Sequence, residues 1–299
     1  MFQNLSPRFR AILLALFVTF LWSTSWVLIK FGLEDIPPVT FAGLRFFLAF
    51  LVLIPFYLRS SAATPLRQLT GRDWASLLGL GLLYYTITQG TMFVTLTYLP
   101  AITFSMLLNG TAVVVAVLGI PLLRELPTRL QWLGMLIFFS GVLLFFYPWD
   151  IPAALFAGYF FAAVHILANS LSAVVGRGIN RQMRIHPVTV TIVSMGIGSI
   201  VMLGIGLVRE PTPHLDWRSW AIIAWLAVVN TALTFTLWNL TQRTLTAVES
   251  SVINNTMLIQ ISILAVIFLD ATLTWIELVG LALAAVGALL VQLRRRKQK

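Results

Sequence analysis

Long apolar stretches, each closed by a short cluster of charged, proline or turn-forming residues, recur ten times along the chain. About 20 mainly apolar residues cross a bilayer core as a helix. The pattern predicts ten such spans: Ala11–Gly32, Val39–Leu58, Trp74–Thr97, Ala101–Leu123, Leu130–Pro148, Pro152–Val174, Pro187–Val208, Trp217–Thr241, Ala247–Leu269 and Trp275–Leu293. A segment in lipid must hydrogen-bond its own backbone, so the predicted fold class is an all-α integral membrane protein. The connecting segments are too short for a separate water-facing domain. Arg8 and Arg10 before the first stretch resemble a signal peptide, but no small-x-small cleavage site follows, so it reads as an uncleaved span.

The pattern repeats. Residues 74–147 align without gaps on residues 220–293 at an offset of 146, pairing Trp74 with Trp220, Thr88 with Thr234, Ser105 with Ser251, Asn109 with Asn255, Thr128 with Thr274, Gly134 with Gly280 and Gly141 with Gly287. Pro38-Val39-Thr40 in the second span likewise matches Pro187-Val188-Thr189 in the seventh. The chain therefore divides into two five-helix repeats, residues 1–149 and 150–299. An odd number of spans per repeat inverts the second copy. Inverted-topology repeats are the build of secondary transporters, which hold substrate near the midplane between the repeats.

Composition agrees: 59% of residues are hydrophobic, only 10% are charged, and mean hydropathy is +0.92, against roughly 25% charged in soluble domains. The net charge of +10 would alone suggest nucleic acid, but its placement says otherwise. With the N-terminus cytoplasmic, 16 of the 20 Lys and Arg fall on cytoplasmic segments and only Arg209 and Arg218 outside, with Lys30 and Arg45 inside spans. That is the positive-inside bias. It puts both termini in the cytoplasm and removes the case for a nucleic-acid partner. Trp74, Trp132, Trp149, Trp217, Trp220 and Trp275 sit at span ends like an interfacial belt, whereas Trp22, Trp26, Trp225 and Trp238 lie inside spans. The absence of cysteine excludes disulfides and thiolate metal sites.

Several local patterns coincide. The first span reads Trp22-Ser23-Thr24-Ser25-Trp26 with Lys30 near its outer end; the second opens Pro37-Pro38-Val39-Thr40-Phe41 and carries Arg45; the fourth ends Arg124-Glu125 before Thr128; Gly134 and Gly141 recur as Gly280 and Gly287. In this order they resemble the drug/metabolite transporter superfamily, in its ten-helix EamA-type branch. The resemblance implies a carrier of the bacterial inner membrane, exporting small metabolites; within the branch the chain looks most like exporters of aromatic amino acids. It departs from the branch in two places. The fourth and ninth spans lack a central proline, reading Asn109-Gly110-Thr111-Ala112 and Asn255-Thr256-Met257-Leu258, and the sixth and seventh keep neither the Trp-Ser start nor the arginine.

Polar side chains inside spans are costly and usually face a bundle interior or a wet cavity. Tyr84, Thr88, Thr91 and Thr95 share a face of the third span, with Tyr85 and Gln89 beside it; Asn230, Thr234, Trp238 and Thr241 hold the matching face of the eighth; His165, Asn169 and Ser172 line the sixth, and Trp22 and Trp26 the first. Helix–helix packing is the simpler account of the threonines. Trp22, Tyr84, Tyr85, Gln89, His165, Asn230 and Trp238 are expected to bind substrate, being too large or too polar for cheap packing. Ser105 with Asn109, and Ser251 with Asn255 beside Asn254, are expected to flank the cavity from opposite sides as gates, an amide clamp being the alternative. Lys30 and Arg45 either snorkel to the interface or pair with Glu34 or Asp35, or they shape an outer vestibule. The glycines from Gly196 to Gly206 suit close packing better than flexing.

No phosphate-cradling loop is present, so direct ATP use is not expected. No carboxylate lies mid-span, which favours a gradient-driven uniporter over a proton-coupled carrier, His165 being the central group able to exchange protons. Intramembrane aspartyl, zinc and Ser–His chemistry all lack their residues, so an enzyme is not expected, and no metal or cofactor is implied. The aromatic and amide faces suit an amino acid with an aromatic or large apolar side chain, carried by alternating access around a central cavity. A multidrug or purine-type carrier and a substrate-selective channel are the alternatives. The expected partners are the small-molecule substrate and the lipid bilayer, with the chain acting as a monomer.

Overall fold

A threonine three residues ahead of a carboxylate or amide marks where several helices begin. Thr70 with Asp73, Thr128 with Gln131 and Thr246 with Glu249 form reciprocal capping boxes, and Thr274 makes the same pair of bonds with Glu277. Each satisfies backbone N–H groups that the first turn leaves open. Asp216, at the repeat position of Thr70, caps through its own carboxylate, Oδ1 accepting from the Ser219 N–H at 2.7 Å.

The computed structural model describes residues 6–123, 126–149, 152–181, 184–242 and 244–292, and among these there is no strand. Ten helical spans follow in order. They are α1 (Pro7–Gly32), α2 (Pro38–Arg59), α3 (Gly71–Tyr98), α4 (Ala101–Leu108 continued by Gly110–Leu123) and α5 (Arg129–Phe145). The second half repeats the series as α6 (Phe156–Arg181), α7 (Pro187–Arg209), α8 (Trp217–Ala227, Val228–Leu233 and Thr234–Thr241), α9 (Ala247–Phe268) and α10 (Trp275–Gln292). Eight are long and apolar enough to cross a membrane; α5 and the Val252–Phe268 part of α9 are shorter but apolar. At 17 residues a helix is about at the lower limit for a span. The helices outrun the apolar stretches: α1 begins at Pro7 and α6 reaches Arg181. Charged residues end a hydropathy run, not a helix, because their heads reach the interface while the backbone stays helical.

The contacts divide the chain into two compact units that interleave along the sequence. One comprises Met1–Val27, Leu99–Phe156 and Thr234–Lys299; the other comprises Leu28–Tyr98 and Ala157–Leu233. Each unit draws helices from both halves of the chain, and the boundary falls within α1 and within α8.

The first unit is organised around α5 and α10. A Cβ on Gly134 would lie 2.9 Å from the Gly287 carbonyl oxygen, and one on Gly141 would lie 2.6 Å from that of Gly280. Position numbers rise along α5 as they fall along α10, so the two helices are antiparallel and touch backbone to backbone. These two helices are repeat equivalents, and Gly134 meets the counterpart of Gly141. In the second unit α2 and α7, also equivalents, cross in the same sense: Gly206 lies against Thr40, Gly43 against Leu203 and Gly196 against Phe50. Antiparallel contact between equivalent helices is what an inverted repeat requires, since each helix and its copy must point opposite ways.

Outward faces carry the residues a bilayer expects. Trp217 and Trp275, at helix starts, are each 82% exposed, and Leu136, within α5, is 66% exposed, as interfacial tryptophans and lipid-facing leucines are. Trp225 also faces outward, whereas Trp26 is buried against Phe104.

Candidate functional site

Two of the helices change pitch midway. Gly81–Gln89 in α3 and Val228–Leu233 in α8 are π-helical. At the repeat offset, the α8 segment falls wholly on the counterpart of the α3 segment. In each, a threonine hydroxyl donates five residues back, Thr88 to the Leu83 carbonyl and Thr231 to the Leu226 carbonyl, both at 2.8 Å. π-Helical turns are rare and concentrate at functional sites, because the wider turn displaces side chains from their α-helical register. The expected substrate residues Tyr84, Tyr85, Gln89 and Asn230 all lie on these two segments.

Around them the second unit gathers a buried polar cluster. His165 of α6 is 3% exposed, and its Nδ1 meets the Thr88 carbonyl at 2.8 Å. The Tyr84 and Tyr85 rings meet edge to face at 4.9 Å, and Phe46 of α2 meets Tyr85 at 5.7 Å. Asn230 is fully buried. Arg45 of α2 is 6% exposed; its Nε donates to the Thr231 hydroxyl at 3.2 Å, and its guanidinium lies 5.1 Å from the Phe46 ring centre and 5.9 Å from that of Phe93. The pairing of Lys30 and Arg45 with Glu34 or Asp35 is not found. The ion pairs among the described residues are Arg8–Glu249 and Arg184–Asp73, both near helix starts, and Lys30 is half-buried.

Trp22 and Trp238 belong to the first unit. The Trp22 indole N–H donates to the Thr234 hydroxyl at 2.9 Å, and its ring packs against Trp238 at 5.2 Å and Phe235 at 5.9 Å. Beside them Ser23 donates to Gln260 Oε1 at 2.9 Å, and Gln260 Nε2 donates to Thr19 at 3.3 Å and Thr256 at 3.2 Å. Gln260 has an apolar residue, Val114, at its repeat position, so the alignment offered no pointer to it.

The matched gate positions differ. At Asn109 the helix tightens for one turn; its side chain donates to the Ser105 carbonyl at 2.8 Å, and Gly110 follows. The Ser105 hydroxyl is buried on the Ile102 carbonyl at 2.8 Å. Helix α9 runs unbroken through Asn255, whose Oδ1 accepts from Gln292 at 3.3 Å. Asn254 is exposed, and the side chain of Ser251 lies outside the described set. Thr86 of α3 donates across to the Gly198 carbonyl of α7 at 2.8 Å, whereas Thr91 and Thr95 bond within their own helix, Thr91 to the Ile87 carbonyl and Thr95 to that of Thr91. This back-bonding removes their hydroxyls from the hydrocarbon without a partner helix.

Sequence reading missed Thr231, Gln260 and Glu210. The Glu210 carboxylate, at the end of α7, accepts from the Val39 N–H at 3.0 Å and the Thr40 N–H at 2.7 Å. Pro38 leaves those two as the open donors at the start of α2.

The profile of the EamA-like transporter family matches the chain twice, over residues 9–147 and 156–293. The uncharacterized transporter YvbV of Bacillus subtilis (strain 168) is 29% identical over 300 residues, covering 98% of this chain and 95% of its own. The uncharacterized inner membrane transporter YedA of Escherichia coli (strain K12) is 31% identical over 216 residues, 69% of this chain and 62% of its own. One solved crystal structure superposes with a TM-score of 0.69 over 97% of this chain and 100% of its own. At 18% identity that likeness is one of fold.

Proposed function

Since this chain belongs to the EamA-like transporter family, we propose that it is a secondary carrier that exports amino acids with aromatic or large apolar side chains by alternating access. The single observation carrying this reading is the pair of repeat-matched π-helical segments in α3 and α8, set among Arg45, Tyr84, Tyr85, Gln89, His165 and Asn230. Tyrosine and phenylalanine faces offer an apolar body a surface, and buried amide and guanidinium groups offer the polar end hydrogen bonds. Without a mid-span carboxylate, the substrate gradient is the simplest driving force. The positive charge excess supports a cytoplasmic placement of both termini in a bacterial inner membrane. The chain is taken to work as a monomer.

The test is uptake into proteoliposomes across the 20 amino acids and the purine bases. Saturable counterflow of labelled Phe, Trp, Tyr, Met or Leu is the expected result. If none of these five shows it, the substrate reading is wrong. Flux that does not exchange against unlabelled substrate marks a channel, and flux confined to purines marks a different carrier.

A further inference from the structure

Arg45 stands about two turns into α2, 6% exposed, with a fork of five N–H donors. One of these, on Nε, is used by Thr231. The Thr231 hydroxyl spends its own proton on the Leu226 carbonyl, so it meets the arginine as an acceptor and holds the fork in one orientation. The faces of Phe46 and Phe93 flank the charge. No carboxylate among the described residues pairs with it. Ring faces return part of the cost of desolvating a cation, but burying one without an anion remains expensive. Ionisable groups kept at membrane depth against that cost mark substrate or ion sites. Here the guanidinium lies against Phe46, whose ring meets Tyr85, which in turn meets Tyr84.

We propose that Arg45 is the recognition group for the carboxylate of the transported molecule, received on the Nη side of a guanidinium that Thr231 pre-orients. The inference rests on the transporter reading and narrows it. A planar fork matches a carboxylate with two parallel hydrogen bonds. A single cation neutralises one negative charge, which suits a monocarboxylate better than a phosphate. The surrounding rings, Phe46, Phe93 and Tyr85, suit an apolar body attached to that carboxylate. The carboxylate is thus recognised by charge at Arg45.

The experiment measures binding to the full chain in detergent, by displacement of labelled phenylalanine. The competitors are 3-phenylpropionate, phenylalaninamide and inorganic phosphate. In the wild-type chain the acid should compete at least about tenfold better than the amide, and phosphate should not compete. Arg45→Met keeps a chain of similar length between the two rings; it should weaken phenylalanine and 3-phenylpropionate by about tenfold or more while leaving the amide unchanged. Arg45→Lys keeps the charge without the fork and should fall between the two. Equal competition by acid and amide in the wild type overturns the proposal without reference to any variant's folding. So does wild-type affinity for the acid in Arg45→Met, or tighter binding of phosphate than of the acid. The two readings fail separately. Displacement by 3-phenylpropionate that depends on Arg45, with no amino acid flux in proteoliposomes, keeps the carboxylate site and sinks amino acid export. Normal saturable flux in Arg45→Met keeps export and sinks the site.

Discussion

Adding one methyl group at Gly141 is expected to push α5 and α10 apart. A Cβ there would sit 2.4 Å from the Ala284 nitrogen, 2.6 Å from the Gly280 oxygen and 3.0 Å from the Ala284 Cα. All three are backbone atoms, so no rotamer change relieves the clash, and reaching ordinary contact requires a separation of about 1 Å. A gap of that size forfeits roughly a quarter to a half of each dispersion well along the contact, which here includes Phe138, Phe145, Leu290 and Val291. Overpacking of this kind costs about 1–3 kcal/mol, and replacing glycine by alanine in a helix returns about 1 kcal/mol. The net loss is therefore about 0–2 kcal/mol. At roughly 2–4 °C per kcal/mol, Gly141→Ala should lower Tm by up to about 8 °C, and should fall below Gly79→Ala, which keeps the helix gain without the clash. The assay is thermal unfolding of the detergent-solubilised chain followed by tryptophan fluorescence. Gly79→Ala serves as the control, since a Cβ there meets nothing within 4 Å and should be neutral or stabilising. The reciprocal change Gly287→Ala, whose Cβ would lie 2.3 Å from the Phe138 nitrogen, should behave like Gly141→Ala. The double variant should cost less than the sum, because helices already separated accept the second methyl more cheaply. A Tm for Gly141→Ala at or above that of Gly79→Ala refutes the close approach and the antiparallel register built on it.

Trp22→Phe keeps a ring against Trp238 but loses the N–H bonded to Thr234; it should cost about 0.5–1.5 kcal/mol, and a double-mutant cycle with Thr234→Val that shows no coupling argues against the bond. Tyr85→Ala, His165→Ala and Trp238→Ala should each reduce flux while the folded protein is retained; normal transport by all three defeats the assignment of these residues to substrate binding. The chain has no cysteine, so Thr212→Cys and Ser61→Cys report on orientation directly. An impermeant maleimide should label Thr212→Cys on intact cells and Ser61→Cys only after permeabilisation, and the opposite pattern reverses the proposed topology. Asp216 accepts the Ser219 N–H at 2.7 Å, and that bond lowers its pKa. Its cap therefore stabilises the folded chain above the ordinary carboxylate range and is lost as pH falls through it. The Tm deficit of Asp216→Ala should shrink below about pH 4, whereas a deficit constant from pH 7 to pH 3 shows that the carboxylate charge is not what stabilises the helix.

How far the amino acids alone determine this protein follows from the range over which each feature acts. The ten spans were legible because lipid imposes a one-dimensional rule: backbone groups must be satisfied within about 20 consecutive apolar residues. The caps Thr128–Gln131 and Thr246–Glu249 are equally local, being closed within four residues, although hydropathy alone does not point to them. The inverted repeat showed as an offset of 146, and its glycines became backbone contacts between α5 and α10. Arg45 and Tyr84 could be named but not placed. Hydropathy identifies a charge inside a span, yet whether it meets Glu34, water or the Thr231 hydroxyl depends on which helix crosses α2 at that depth. The π-helical segments were invisible too, because over nine residues a shift from four-residue to five-residue hydrogen bonding hardly alters the spacing of apolar side chains. Only packing decides it. The wider turn carries Thr88 and its carbonyl to His165, and the matching turn in α8 carries Thr231 to Arg45, contacts between residues 77 and 186 positions apart that no local rule connects.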